Sequence, residues 1–314
     1  MIAFGRPLLT VAAAATLALT AGCGGSPEEE GDAGGRTPVT AAFYPLAYAV
    51  SQVGGDRVAV RNLARPGAEA HDLELAPRDV AGLARSALVV HLRGFQPAVD
   101  DAIASQVPAD AAHDVTGDAD LTLRAEADGT EKEGDAASVT DGADPHFWLD
   151  PVRYAQVVKG IGARLEGVDP EQGTAYRQGT DAFVAQLGAL DTEFRTGLAS
   201  CRSRQLVTGH TAFGYLAERY DLTQTGIAGV KPKAEPNAAT MAAIVDLVRR
   251  EKVTTVFAET TLSPAFTRAI AEETGAKVAV LDPVETVSDA SPGDDYLEVM
   301  RANLTALRTG LGCT

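Results

Sequence analysis

The sequence of 314 residues predicts an α/β protein in which two α/β lobes with mainly parallel sheets are joined by one long rigid α-helix. Apolar runs of strand length alternate with segments whose apolar residues recur three and four positions apart, the spacing of one helix face. This alternation is typical of a parallel sheet covered by helices. It occurs twice, which predicts an N-terminal lobe at 39–168 and a C-terminal lobe at 201–314.

The elements of both lobes can be read in chain order. The first lobe has strand-length runs VTAAFY at 39–44, VAVRNLA at 58–64 and ALVVHL at 87–92, with the helical pattern LAPRDVAGLARS at 75–86. The second lobe has strand-length runs QLVTG at 205–209, TTVFAET at 254–260 and KVAVLDP at 277–283, separated by the helical patterns MAAIVDLVRREK and SPAFTRAIAEETG.

Residues 169–200 predict the helix that links the lobes. Pro170 suits the start of a helix. A helix of roughly 28 residues would be about 42 Å long, enough to cross a domain, so we expect a stiff strut rather than a hinge. Its buried face is predicted from spacings of four, three, four and four residues and comprises Phe183, Leu187, Leu190, Phe194 and Leu198.

The N-terminus is typical of an export signal. Residues 1–22 contain an early Arg6, a short apolar run and small residues before Cys23. A membrane span needs about 20 apolar residues and fits poorly. The residues TAGC resemble a bacterial lipobox, which implies a lipoprotein signal peptide and lipidation of Cys23. Residues 23–38 lack apolar periodicity and predict a flexible tether, so we expect an extracytoplasmic protein lipid-anchored to the outer face of the cell membrane.

Residues 116–144 differ from the rest of the first lobe. Its charged residues are mostly acidic, with only Arg124 and Lys132 as basic residues, and it contains few apolar residues. Such a composition predicts a mobile, solvated acidic loop. Its carboxylates could raise the local concentration of cations, although they would bind zinc loosely.

Charge and cysteine content limit the function further. The formal net charge of −16 argues against nucleic acid as a partner and favours a cation, although acidity also serves solubility. Once Cys23 is lipidated, Cys201 and Cys313 form an even pair in an oxidising compartment, which predicts a disulfide. Two separate buried thiols remain the alternative.

Three of the five histidines lie where the chain changes direction. His71 follows a Pro/Gly loop after a strand, His146 lies between two prolines in DPHFWLDP, and His210 ends the strand QLVTGH. Asp282 has the same placement at the end of KVAVLD. Strand C-termini are where open α/β sheets bind ligands. His91 and His113, in contrast, suit a structural ring and a surface ring.

Three imidazoles and one carboxylate would suit Zn²⁺, which binds nitrogen and oxygen donors tetrahedrally. His71 and His146 would come from the first lobe, and His210 and Asp282 from the second, which would place the metal in the inter-lobe cleft. Spacing alone leaves each histidine equally compatible with a packed ring, because no two of these residues are close in sequence.

At these residues the sequence resembles the zinc and manganese solute-binding proteins of bacterial ABC importers, the metal-binding cluster called solute-binding protein family 9. The matching stretches cover nearly all of 39–312 in the family's order and include HDLELAPRDV, DPHFWLDPVRYAQ, VTGHTAFGYLAERYDL, AEPNAATM and VFAETTLSPAFTRAIAEETGAKVAVLDPV.

The resemblance implies that His71, His146, His210 and Asp282 are the metal ligands. It also implies the zinc-specific branch, because manganese-selective relatives tend to have glutamate at the third position, where this chain has His210. One departure is that zinc members often carry a histidine-rich loop, whereas the loop here is acidic.

Three further residues are candidates for the cleft. Glu259 ends a strand, where it could orient a ligand histidine or serve as a helix-capping or buried carboxylate. Phe147 and Trp148 are expected to pack beside the cleft and keep that part of the site dry.

The resulting hypothesis is an extracytoplasmic high-affinity zinc receptor that delivers Zn²⁺ to the ABC permease of an importer, a monomer and not an enzyme. A metallochaperone is a further candidate partner. The alternatives are a manganese or iron receptor of the same importer class and a metal-dependent surface adhesin. A zinc hydrolase with Glu259 as general base is disfavoured, because catalytic zinc keeps an open position and no H-E-x-x-H motif occurs.

Overall fold

Two four-stranded parallel sheets form the framework of the computed structural model, which describes residues 1–2, 35–124, 142–230 and 236–314. Most of the predicted signal peptide, Cys23 and most of the predicted tether lie outside the described residues. Within the described part of the chain, no helix is both long and apolar enough to cross a membrane.

The first sheet has the strand order β2-β1-β3-β4, with every neighbouring pair parallel. Central strands of such sheets are covered on both faces and therefore read as apolar runs, as Leu88, Val89 and Val90 do here. Its strands are β1 (Thr37–Ala41), β2 (Val58–Asn62), β3 (Leu88–His91) and β4 (Ala112–Asp114). Its helices are α1 (Tyr44–Gly54), α2 (Pro77–Leu83), α3 (Pro97–Gln106) and α4 (Thr116–Ala119).

The second sheet repeats this arrangement with the order β6-β5-β7-β8, again parallel throughout. Its strands are β5 (Gln205–Thr208), β6 (Thr223–Gly226), β7 (Thr255–Ala258) and β8 (Lys277–Val280). The accompanying helices are α7 (Gly214–Arg219), α8 (Ala238–Arg250), α9 (Ala265–Thr274) and α10 (Tyr296–Leu311). Two α/β lobes with parallel sheets confirm the predicted fold class.

Two long helices lie between the sheets in the chain, α5 (Pro151–Val168) and α6 (Gly173–Gly197). The predicted linking helix corresponds to α6 and to a short 3₁₀ turn, Pro170–Gln172, that precedes it. The α5 helix begins at Pro151, and the Asp150 carboxylate caps it by accepting the N–H of Val152 at 2.8 Å. All five apolar residues predicted for one face of the linking helix are buried. Phe183, Leu187, Leu190 and Phe194 lie in α6, and Leu198 follows it directly.

The apolar core is divided unequally. One large cluster joins the first lobe to α5, α6, α10 and parts of the second lobe, including Phe213 and Phe257. A smaller cluster lies between the second sheet and α8 and α9, with Val207, Ile244 and Ile270 among its members. The first lobe thus shares its core with the long helices.

The predicted acidic loop is structured at both ends. Residues 116–119 form the turn of α4, and Arg124 and Ala143 form an antiparallel bridge that brings the two ends together. Residues 125–141, which carry most of the acidic side chains, lie outside the described residues.

Candidate metal centre

Four buried side chains meet where the two lobes face each other. His71, His146, His210 and Glu285 each offer one ligand atom, and these atoms all lie within 4.8 Å of one another. None of the four residues is more than 2% exposed. Uncompensated burial of so many ionisable groups is unfavourable, so the group requires a compensating interaction.

Each member lies beyond the C-terminal end of a strand or beside the start of a helix. His71 is in the loop between β2 and α2, and His146 precedes a 3₁₀ turn, Phe147–Leu149, that leads into α5. His210 follows β5, and Glu285 follows β8. Parallel strands direct their carboxyl ends to one edge of a sheet, which is why loops distant in sequence converge there.

The four converging atoms have no hydrogen-bond partner among the described residues. These atoms are Nε2 of each histidine and Oε1 of Glu285. Glu285 Oε1 lies 3.5 Å from His71 Nε2 and 3.4 Å from Nε2 of His146 and of His210. A tetrahedral ion with ligand distances near 2.1 Å separates its ligand atoms by about 3.4 Å, so these spacings fit a Zn²⁺-sized ion.

His146 is oriented by a carboxylate only two residues away. Asp144 Oδ1 lies 2.7 Å from His146 Nδ1 and also accepts the backbone N–H of His146 at 2.9 Å. Asp144 is buried, and its backbone carbonyl accepts the hydroxyl of Tyr215 at 3.0 Å. With Nδ1 occupied in this way, Nε2 is the ring atom directed into the group.

His210 is oriented by a carboxylate that is distant in sequence. Glu259, which directly follows β7, has Oε2 2.5 Å from His210 Nδ1, and its Oε1 accepts the His210 backbone N–H at 2.7 Å. Glu259 therefore lies where it can orient the His210 ring, one of the roles that the sequence suggested for it.

His71 lacks such a partner. Its Nδ1 has no hydrogen bond within the described ranges, and its ring instead packs edge-on against Phe95, with 4.7 Å between centroids. Glu69 supports the loop by accepting the backbone N–H of His71 at 2.5 Å. The three histidines thus differ in how firmly their rings are oriented.

The carboxylates change the protonation of the histidines. Burial alone lowers the pKa of His210, but Glu259 and then Glu285 raise it to about 10. Burial likewise opposes the charged form of His146, yet Asp144 raises its pKa above the ordinary value. Burial favours a neutral Glu285, but the three histidines, His71 foremost, hold its pKa well below the usual range.

The sequence-predicted carboxylate Asp282 is buried nearby but is not a member of the group. Its Oδ1 accepts the backbone N–H of Val284 at 2.7 Å, and its Oδ2 accepts the hydroxyl of Thr260 at 2.8 Å. Glu285, three residues later, is the carboxylate that the structure brings to the histidines. Sequence reasoning missed Glu285, although its place in the same strand-end segment, LDPVE, was a usable signal.

Phe147 and Trp148 are completely buried beside the group. The Trp148 ring lies 5.2 Å from that of His146, and its Nε1–H donates to the carbonyl of Pro283 at 2.8 Å. Trp148 therefore contacts a histidine of the first lobe and the loop that carries Glu285.

Two other sequence-based expectations can be located. The predicted disulfide is confirmed, since Cys201 and Cys313 are bonded. His91 is buried outside the group, with Nδ1 3.3 Å from Asp100 Oδ1, consistent with a structural ring.

Comparisons with known proteins identify the family to which the chain is similar. The family model described as zinc-uptake complex component A, periplasmic, matches residues 39–310. The high-affinity zinc uptake system protein ZnuA of Bacillus subtilis is 31% identical over 310 residues, which is 95% of each chain. The zinc-binding lipoprotein AdcA of Streptococcus pneumoniae is 30% identical over 292 residues, 88% of this chain but only 56% of AdcA. The chain therefore spans little more than half the length of that relative.

A solved structure has the same fold. The laminin-binding protein Lmb of Streptococcus agalactiae, described as a bifunctional protein with adhesin and metal transporting activity, superposes with a TM-score of 0.74. It is 32% identical, and the match covers 88% of this chain and 99% of Lmb.

Proposed function

This chain belongs to the zinc-uptake complex component A family, and we propose that it is an extracytoplasmic receptor that binds Zn²⁺ and delivers it to an ABC-type importer. The observation that carries the proposal is the convergence of four buried atoms without other hydrogen-bond partners in the described residues. The Glu285 oxygen lies 3.4 to 3.5 Å from the three histidine nitrogens, a separation suited to a tetrahedral ion.

The proposed ligands are His71, His146, His210 and Glu285. Glu285 takes the place that the sequence suggested for Asp282, because its Oε1 lies within 3.5 Å of all three Nε2 atoms. Three nitrogen donors and one oxygen donor favour zinc over manganese, which prefers sites richer in oxygen. Four protein ligands complete a tetrahedral shell, so the site favours capture of the ion over hydrolysis, which would require a position for water.

The proposed location and partners extend this function beyond the site. An export signal and a lipidated Cys23 would hold the receptor at the outer face of the cell membrane, in keeping with the lipoprotein relative. A cognate ABC permease would receive the ion, and the receptor would act as a monomer. A metallochaperone remains a candidate supplier of zinc.

Zinc titration of metal-free protein by calorimetry tests the proposal. We expect one zinc ion per chain, with tighter binding of zinc than of manganese in competition. Replacing any one ligand, as in His210→Ala or Glu285→Ala, should cost about 3 kcal/mol, roughly 100-fold in affinity, if four ligands share the energy typical of a structural zinc site.

His113→Ala is the matched control, because His113 lies outside the four-residue group. Its zinc affinity should equal that of the wild type. Absence of zinc binding by the wild type, or equal losses in His113→Ala and His210→Ala, would contradict the proposed function.

A metal-dependent surface adhesin is the second candidate. It is favoured by the likeness to Lmb, whose description includes adhesin activity. Binding of immobilised laminin by wild type and by Glu285→Ala protein, with and without zinc, separates the two functions. An adhesin should bind laminin in at least one of these states, whereas a receptor restricted to zinc delivery should bind laminin in none.

A further inference from the structure

We propose that Asp282 is a positioning residue, which holds the turn that aims Glu285 at the three histidines and is not itself a ligand. This inference rests on the proposed zinc-binding function and deepens it. It assigns a role to a buried carboxylate beside the site that takes no part in the four-residue group.

The first observation is the backbone conformation of Val284. Its φ of 56° lies in the left-handed region, which is strongly disfavoured for a β-branched side chain. The neighbouring Asp282 accepts the Val284 N–H through Oδ1 at 2.7 Å, a side-chain hydrogen bond that closes a tight turn. The hydrogen bond therefore offsets the cost of a conformation that Val284 would otherwise leave.

The second observation is how Asp282 itself is held. The hydroxyl of Thr260 donates to Oδ2 at 2.8 Å, while Asn303 bonds both backbone groups of Asp282, accepting its N–H at 2.9 Å and donating to its carbonyl at 2.7 Å. Asp282 is only 1% exposed. Both carboxylate oxygens of Asp282 are thus engaged in hydrogen bonds, Oδ1 with the turn and Oδ2 with Thr260, whereas Glu285 Oε1 has no hydrogen bond in the described part of the chain.

The third observation is that the first lobe forms hydrogen bonds with the same turn on both sides of Glu285. Trp148 donates to the carbonyl of Pro283 at 2.8 Å, and the N–H of Gly67 donates to the hydroxyl of Thr286 at 2.8 Å. These bonds join the turn to the two loops that carry His146 and His71. The position of Glu285 relative to both histidines therefore depends on the turn that Asp282 closes.

A zinc site is sensitive to such positioning, because ligand distances vary by only about 0.2 Å around their preferred values. Groups that orient a ligand without touching the metal commonly change affinity 10- to 100-fold. If Asp282 were removed, Val284 could relax and carry Glu285 away from the histidines.

Two substitutions at position 282 separate positioning from ligation. Asp282→Ala removes the acceptor for the Val284 N–H and should weaken zinc binding about 10- to 100-fold. Asp282→Asn keeps an oxygen that can accept this N–H and should bind zinc within about threefold of the wild type, since the net value of one hydrogen bond is small. A carboxylate that binds the metal would not tolerate the change to an amide, so Glu285→Gln should lose far more zinc affinity than Asp282→Asn.

A second substitution, at Val284, tests whether backbone strain causes the loss of zinc affinity in Asp282→Ala. Glycine adopts positive φ readily, so Val284→Gly in the Asp282→Ala background should restore part of the lost affinity. The visible absorption of bound Co²⁺ supplies a second readout, because its intensity reports tetrahedral ligation. We expect it to be native-like in Asp282→Asn and in the rescued double variant and altered in Asp282→Ala.

The results distinguish this inference from the proposed function. If the wild type binds no zinc, the proposed function fails. If the wild type binds zinc and Asp282→Asn loses as much affinity as Glu285→Gln, Asp282 is a ligand and the positioning role is overturned. Unchanged affinity in a folded Asp282→Ala also overturns it. If Asp282→Ala does not fold, the comparison of Asp282→Asn with Glu285→Gln still decides the question.

Discussion

The two lobes share a strand order but support their site residues differently. In both, the second strand in the chain lies at one edge and the fourth at the other. The first lobe orients His146 through a carboxylate two residues away, whereas the second orients His210 through a carboxylate 49 residues away, at the end of the neighbouring strand. The same strand order thus supports both histidines. The carboxylate that orients His146 is its neighbour in the sequence, whereas the carboxylate that orients His210 comes from the adjacent strand of the sheet.

The lobes also differ in how they are stabilised. The first lobe packs into the large apolar cluster together with α5, α6 and part of the second lobe, whereas α8 and α9 pack on the second sheet through a separate, smaller cluster. The second lobe also has a covalent link, since the disulfide joins its first residue to a residue next to its C-terminus. Substitutions that affect one lobe or its site residues more than the other therefore test this difference.

The largest effect is expected from the disulfide. Cys201 and Cys313 are 112 residues apart, and closing a loop of this size stabilises the folded state by up to about 4.7 kcal/mol in the chain-entropy model. We expect the Cys201→Ser/Cys313→Ser variant to lose stability mainly in the second lobe, measured by urea unfolding and by hydrogen exchange resolved along the chain. Equal loss of protection in both lobes would mean that they unfold as one unit.

The next effect concerns the orienting carboxylates. Asp144→Ala and Glu259→Ala should each weaken zinc binding about 10- to 100-fold, roughly 1.4 to 2.7 kcal/mol, because a histidine loses its fixed ring orientation. Calorimetry measures this loss. Asp100→Ala is the control, since it removes a carboxylate beside His91, outside the site. If the control lost as much zinc affinity as the two variants, general destabilisation would explain the effect.

The pH dependence should have opposite signs for binding and for stability. Zinc binds deprotonated imidazole, and the pKa of His210 is about 10, so zinc affinity should rise with pH between 6 and 8, by up to tenfold per pH unit for each proton released. A raised pKa in the folded state contributes stability fully below the unfolded value of 6.5, and this contribution is lost as pH rises towards 10.

Calorimetry in buffers of different ionisation enthalpy counts the released protons, and melting curves of metal-free protein follow stability. Glu259→Ala should release fewer protons on binding zinc at pH 7, because His210 would lose the main cause of its raised pKa. An unchanged proton count in this variant would contradict the role given to Glu259.

The smallest effect should come from Trp148→Phe. This change keeps an aromatic ring beside His146 but removes the N–H that bonds the Pro283 carbonyl, at a cost of about 1 kcal/mol or roughly fivefold in zinc affinity. Zinc titration and the zinc dissociation rate measure it. A loss as large as that of Glu259→Ala would show that contact between the lobes matters more than ring orientation.

The α/β class, the two lobes, the buried face of the linking helix, the disulfide and the candidate histidines in loops and at strand ends could all be predicted from the sequence. Most of these features follow from local periodicity and from the rule that parallel strands converge at their carboxyl ends. The disulfide follows from an even pair of cysteines in an oxidising compartment. Which carboxylate meets the histidines depends on tertiary packing. Asp282 and Glu285 lie three residues apart in an irregular turn, and the side chain that faces the site depends on the left-handed Val284 and on bonds from Asn303 and Trp148.

Asp144 illustrates the same limit in the other lobe. In the sequence it is one more carboxylate at the end of an acidic segment, where charges are ordinarily solvated. In the structure it is buried against His146 and Tyr215. Its burial includes a contact with Tyr215 of the second lobe. The sequence pattern does not predict this contact, because periodicity describes how a segment folds but does not contain the partners that long-range packing brings to it.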